Sequence, residues 1–111
     1  VEQVKRAVAL SRLGKQTGNW SVERRFMKLV EETGELSEAL LYAQGLLPNK
    51  EMKEPVSGEI ADVTIQAIDV AAKHYESQTP KVVLEIFVHE LERKLNKWQG
   101  LLDQAGRAVK T

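Results

Sequence analysis

The sequence contains no cysteine. Disulfides, thiolate nucleophiles and zinc–thiolate centres are therefore excluded. Proline is scarce, occurring only at positions 48, 55 and 80, and these positions divide the chain into candidate helices. An excess of charge of either sign is also missing, because Lys+Arg and Asp+Glu number 16 each. Attraction to nucleic acid or to a membrane surface is thus not expected from the chain as a whole, and any electrostatic function must come from local clustering. No apolar run approaches the length of a membrane span, and no signal-peptide core stands at the N-terminus, so a cytosolic protein is expected. The chain begins with Val1, as expected where an initiator methionine has been removed or the start trimmed. Its 111 residues suit one domain with one core.

What is present is helical periodicity. Val1 to about Leu13 reads as a short helix, followed by a loop at Gly14 to Asn19 (GKQTGN). Ser21 is placed to cap a long helix running to about Leu46, with Glu23 in its first turn. Its apolar stripe is Val22, Phe26, Leu29, Val30, Thr33, Leu36, Leu40 and Leu47. A third helix spans about Pro55 to Glu76, with Pro55 in the first turn and Val56, Ile60, Val63, Ala67, Val70, Ala71 and His74 buried. A fourth starts at Thr79-Pro80 and carries Leu84, Phe87, Val88, Leu91, Leu95 and Trp98, with a frayed or exchanged helical tail beyond Gly100. Neither a strand pattern nor a repeat appears, so the expected fold is an all-α, four-helix-bundle-like domain.

One stretch opposes its own helix. In LVEETGELSEALLYAQ, Leu29 to Gln44, Glu31, Glu32, Glu35 and Glu38 crowd together. Like charges three or four residues apart each weaken a helix by a few tenths of a kcal/mol, roughly. Gly34 adds about 1 kcal/mol relative to alanine, offset only if it admits a close neighbour or serves packing.

Residues three apart on a helix point about 60° apart and can converge on one object. Glu32 and Glu35 form such a pair at the edge of the apolar stripe, and Glu59 and Asp62 form another on the third helix. Two adjacent antiparallel helices would bring the four carboxylates together at the rim of the core. Such a group repels itself unless cations neutralise it. Oxygen ligands without cysteine or suitably spaced histidine select magnesium or manganese. The competing interpretation is a solvated acidic face, which is the expectation for Glu38. His74 and His89 have no motif around them and read as structural.

EETGE (31–35) followed by EIAD (59–62) resembles the EExxE…ExxD signature of the MazG-like all-α nucleoside triphosphate pyrophosphohydrolases. Twenty-three residues separate Glu35 from Glu59, a spacing similar to the family's, and the resemblance extends from about Trp20 to Trp98. It implies a MazG-like fold and cleavage of a (deoxy)nucleoside triphosphate between its α and β phosphates. By resemblance, Glu32, Glu35, Glu59 and Asp62 hold two or three Mg²⁺ or Mn²⁺ ions. Glu31 then orients or activates water, with Glu35 beside it. Asp69 is either a further ligand or a partner of Lys73.

For the nucleotide, the resemblance points to Lys94, Asn96 and Lys97 on the fourth helix and to Trp20 and Asn19 ahead of the second. Lys15, Arg24 and Arg25 are further candidates for ribose or phosphate contacts. Gln66 stands where pyrimidine-reading relatives often have tyrosine, which favours a purine. Phage members of the MazZ type, which act on dGTP, are similar in being small stand-alone chains; bacterial cytosol, or host cytosol for a phage protein, is implied. Wide apolar stripes on short helices suggest a homodimer or homotetramer, with no nucleic-acid or membrane partner. The rival expectation is a non-catalytic helical module whose acidic rim binds cations or a basic partner.

Overall fold

The computed structural model describes residues 1–13, 19–47, 51–52 and 54–107. They form four helices, α1 (Glu2–Leu13), α2 (Val22–Ala43), α3 (Val56–His74) and α4 (Pro80–Gln104), with no strand among the described residues. The all-α expectation holds. No helix among them is long and apolar enough to cross a membrane.

The starts of the helices follow local chemistry. Ser21 stands in extended conformation ahead of α2 and its hydroxyl accepts from the Arg24 amide at 3.2 Å. Thr79 caps α4 in the same way through the Val82 amide, with Pro80 in the first turn. Pro55 is one step further out than its spacing suggested: it is the cap residue of α3, and its carbonyl accepts from the Gly58 and Glu59 amides.

The ends depart further from the sequence pattern. Helix α2 stops at Ala43 rather than near Leu46, because Gly45 takes φ +76° and lets the Leu46 amide reach back to the Leu41 carbonyl. At the other end of the chain, α4 does not fray at Gly100 but runs on to Gln104. There Gly106, at φ +70°, closes the same motif through the Arg107 amide and the Leu102 carbonyl. A glycine inside a helix only lowers its propensity; a glycine that adopts positive φ ends it.

Helices α2 and α3 run antiparallel. Arg25 near the start of α2 meets Asp69 late in α3, Glu32 meets Glu59 and Asp62, and Ala39 shares a groove with Pro55 and Val56. Helix α1 lies against α3 and the beginning of α4, where Val8, Ile68, Ala72 and Val83 make the buried core, flanked by Val4, Ala7, Ala71 and Tyr75. Arg12 of α1 also closes the end of α3 by donating to the carbonyls of Ala72, Tyr75 and Gln78. These cross-helix bonds do the work of a C-cap.

Much of the anticipated apolar surface is not covered within one chain. Leu29 and Leu36 of α2 are half-buried and Ala39 is buried, but Phe26 is 52% exposed and Val30 and Leu40 are also open. On α3, Ile60, Ala67 and His74 are exposed rather than buried. Helix α4 packs on α1 and touches α3 but not α2, so Phe87, Val88, Leu91, Leu95 and Trp98 project outward, Trp98 with 63% of its surface accessible. The radius of gyration is 17.0 Å, whereas a compact chain of this length has about 13 Å. The accessible surface is 8522 Å², against about 6,200 Å² for a compact monomer of this mass. The single chain is thus an open arrangement of helices rather than a closed bundle.

Candidate metal centre

Glu32 projects from the middle of α2 and Glu59 and Asp62 from the first two turns of α3. Because the two helices are antiparallel neighbours, carboxylate oxygens of all three lie within 4.8 Å of one another. Glu59 is 6% exposed and Glu32 8%, while Asp62 is half-buried. Oε2 of Glu32 and Oε2 of Glu59 are buried and accept from no donor. A buried carboxylate oxygen without a donor carries a desolvation cost that a hydrogen bond or a cation would remove. The donor set is all oxygen and anionic, so these residues could hold a hard divalent ion.

Around this trio stand two more carboxyls. Glu35 is exposed one turn beyond Glu32, and a hydrogen bond with Glu32 together with the Glu32 charge raises its pKa above the usual value of 4.5. Glu54, in the segment before α3, is raised in the same direction by the charge of Asp62 and by a hydrogen bond with it. Both shifts have the same physical cause, like charges crowded at one place.

Among the described residues, one cation reaches the group. Lys28 Nζ lies 3.3 Å from Glu32 Oε1 and 3.2 Å from Glu31 Oε1, and the hydrogen bond with Glu31 is the main reason its pKa is raised. Glu31 thus stands outside the trio, more than half exposed, and faces Lys28 rather than Asp62 or Glu59. Gly34 has open space where a side chain would project, so it neither admits a close neighbour nor packs within this chain. Glu38 is half-buried rather than fully solvated.

No protein-family model, no curated protein and no solved structure matches this chain.

The remaining candidate residues divide by position. Trp20 is half-buried with the Arg24 guanidinium 3.9 Å from its ring centroid, and both line an open groove of about 460 Å³ with Met27, Lys28, Val30 and Glu31. That groove adjoins the acidic trio through Lys28. Asn19 is exposed just before Trp20. Lys94, Asn96 and Lys97 sit on the exposed distal part of α4, which does not touch α2, so one chain does not bring them to the carboxylates. Lys15 lies outside the described residues.

Two candidates turn out to be framework. Arg25 is 2% exposed and donates to Asp69 Oδ1 at 2.6 Å, to the Ser11 hydroxyl at 2.8 Å and to the Trp20 carbonyl at 3.1 Å. It is not presented to a ligand. Asp69 also accepts from Ser11, whereas Lys73 pairs with Glu76 at 2.7 Å. Asp69 is therefore neither within the trio nor a partner of Lys73; it joins α1, α2 and α3. Gln66 is half-buried beside Ile65, Ser11 and Asp69. His74 stacks edge-on against Tyr75, and His89 is exposed.

Reading the sequence missed Lys28 and Glu54. Lys28 had a signal, since it precedes Glu32 by four residues and Glu31 by three. Glu54 had none, because it lies outside every periodic segment and reaches the group only through the path of the chain into α3.

Proposed function

We propose that the protein is a metal-dependent nucleoside triphosphate pyrophosphohydrolase, a hydrolase acting on acid anhydrides, which converts a (deoxy)nucleoside triphosphate to its monophosphate and pyrophosphate. The observation that carries this reading is the convergence of Glu32, Glu59 and Asp62 from two helices, with two buried carboxylate oxygens that no donor serves. The resemblance of EETGE…EIAD to the MazG-like signature supplies the reaction class.

In this reading Glu32, Glu59 and Asp62, with Glu35 beside them, hold Mg²⁺ or Mn²⁺. When bound, such ions neutralise a triphosphate's charge and lower the pKa of a coordinated water. The chain's own residues do the rest. Glu35, its pKa raised beside Glu32, is repelled by the trio, and cations bound there would offset that repulsion. Lys28 and Arg24, one turn apart beside the trio, offer positive charge to an anionic tail. Trp20 presents an aromatic face on which a base can stack. Glu31, paired with Lys28, is held at the outer edge, where it can accept a proton from an approaching water. A purine such as that of dGTP is the preferred base by resemblance.

The open apolar faces of α2 and α4 support assembly as a homodimer or homotetramer. The surface beyond that of a compact monomer, about 2,300 Å², exceeds what a standard interface buries in total. The same exposure favours the second reading, a helical interaction module that binds a partner without catalysis.

Pyrophosphate release from a panel of NTPs and dNTPs, with magnesium, with manganese and with chelator, separates the two. Metal-dependent release from one or a few nucleotides supports the enzyme. No release from any of them, with metal bound, leaves the interaction module.

A further inference from the structure

Helix α4 runs beyond the rest of its own chain. From Phe87 to Leu101 every residue of it is exposed, a length of about 22 Å. Along this part Val88, Leu91, Leu95, Trp98 and Leu102 follow one another at alternating steps of three and four residues. That is the repeat of a helix lying lengthwise against a neighbour. A lone helix of this length is marginal in water, and α4 does not touch α2, so the ridge lacks the cover it needs.

An apolar face of the same length stands open on α2 and α3. On α2 the exposed Phe26, Val30, Thr33, Ser37 and Leu40 repeat the alternating steps, and on α3 the exposed Ile60, Thr64 and Ala67 do the same. The α2 stripe lies roughly a third of a turn from Arg25, Glu32 and Ala39, which meet α3. The α3 stripe lies roughly a third of a turn, in the same sense, from Val56, Glu59, Asp62 and Asp69, which meet α2. Because the helices are antiparallel, equal rotations in one sense bring both stripes to one side. Thr33 and Thr64 donate their hydroxyls to the carbonyls of Leu29 and Ile60, each at 2.8 Å. Covering these two side chains therefore strands no donor. Phe26 to Leu40 and Val88 to Leu102 are equally long, about 21 Å.

We infer that α4 of a second copy of this chain covers the α2–α3 face, and that the exchange is reciprocal. Each chain carries one ridge and one face, so a two-fold pair covers both at once and closes the assembly. An unrelated partner would answer only one of the two surfaces. The surface beyond that of a compact monomer is about 2,300 Å² per chain. A pair can thus bury roughly 4,600 Å², the size of an obligate dimer interface. The inference rests on the assembly proposed above and names its surfaces. The acidic centre stays open, because Glu35 lies about half a turn round α2 from Phe26.

The chain has no cysteine, so single introduced cysteines report which helices meet. Thr33→Cys and Thr64→Cys mark the face, and Val88→Cys, Leu91→Cys, Leu95→Cys and Trp98→Cys mark the ridge. Each full-length variant is checked by circular dichroism. It is then oxidised alone and after refolding in an equimolar mixture with a variant of the other set, since a disulfide forms only where Cα atoms lie within about 7 Å. Face and ridge variants are expected to link in at least one mixture, and no variant should link to itself. Val30→Lys, on the face, should halve the mass of the assembly or reduce it further in light scattering.

Ridge variants that link to themselves would show α4 against α4, and self-linked face variants would show face against face; either result overturns the exchange. So does the absence of a link in every mixture, or a Val30→Lys chain that keeps its full mass. A monomeric wild-type chain would overturn both the exchange and the assembly on which it rests. Metal-dependent pyrophosphate release is read separately, so the enzymatic reading stands or falls apart from these outcomes.

Discussion

Arg25 and Asp69 form a buried ion pair, Nη1 to Oδ1 at 2.6 Å, that ties the start of α2 to the last turns of α3, with Ser11 of α1 bonded to both. Three helices thus meet at one charge pair about two turns from the acidic trio. The charges compensate each other there, whereas at Glu32, Glu59 and Asp62 only Lys28 does so among the described residues. The contrast separates a framework pair from a group that retains capacity for a ligand.

Removing one member of the pair should be severe. Asp69→Ala or Arg25→Ala leaves the other charge buried and is expected to cost about 3–5 kcal/mol in urea unfolding. Replacing both by apolar residues of similar volume should cost far less. Equal losses in the single and double variants would show that packing volume, not charge, is what matters at this junction.

The acidic trio should respond to metal in two opposing ways. Magnesium or manganese at a hundred times its dissociation constant is expected to stabilise the wild-type chain by about 2.7 kcal/mol per site. In Glu59→Gln that gain should largely vanish, while in chelator the variant should melt no lower than wild type because one repelling charge has gone. A variant that melts lower in chelator yet keeps the full metal response would remove Glu59 from the site.

Proton retention carries a sign that can be checked. Glu35 and Glu54 have folded-state pKa values above the usual 4.5. Above that value the folded chain binds more protons than the unfolded one, so their contribution to stability falls as pH rises through the window towards the raised values. In chelator, the melting temperature of Glu35→Gln/Glu54→Gln relative to wild type should therefore climb as pH rises above the usual 4.5. Glu76 and Glu90, lowered by Lys73 and Arg93, act oppositely, gaining stability as pH rises towards 4.5, and they do so in both chains. Parallel curves for the two chains would refute the raised pKa values of Glu35 and Glu54.

The open face of α4 gives a mass measurement. Leu95→Lys places a charge in the stripe formed by Val88, Leu91, Leu95 and Trp98, all exposed in the single chain. Light scattering should show the wild-type assembly reduced to half its mass or less, with far-ultraviolet helicity partly lost because a lone amphipathic helix is marginal in water. A wild-type chain that already scatters as a monomer would end the assembly proposal.

Local chemistry carried most of the secondary structure. Ser21 and Thr79-Pro80 mark helix starts by satisfying orphan amides, and this needs only neighbours in sequence. Helix ends were less legible, because a glycine acts as a stop only where its φ turns positive; Gly45 and Gly106 do so and Gly100 does not. Two i,i+3 spacings on antiparallel helices led to four converging carboxylates; Glu32, Glu59 and Asp62 do meet, while Glu35 stands outside that group.

Periodicity alone therefore determined that this chain is helical, where its helices begin, and which acidic residues lie on neighbouring helix faces. Tertiary structure decided everything that depends on what stands opposite a face. It put Arg25 and Asp69 inside as a mutual pair, turned Glu31 towards Lys28, left the α4 stripe open and folded Glu54 over Gly58. The reason is physical: a repeat of 3.6 residues says which side chains share a side of one helix. Whether that side meets a carbon, a charge or water is set by where the chain returns.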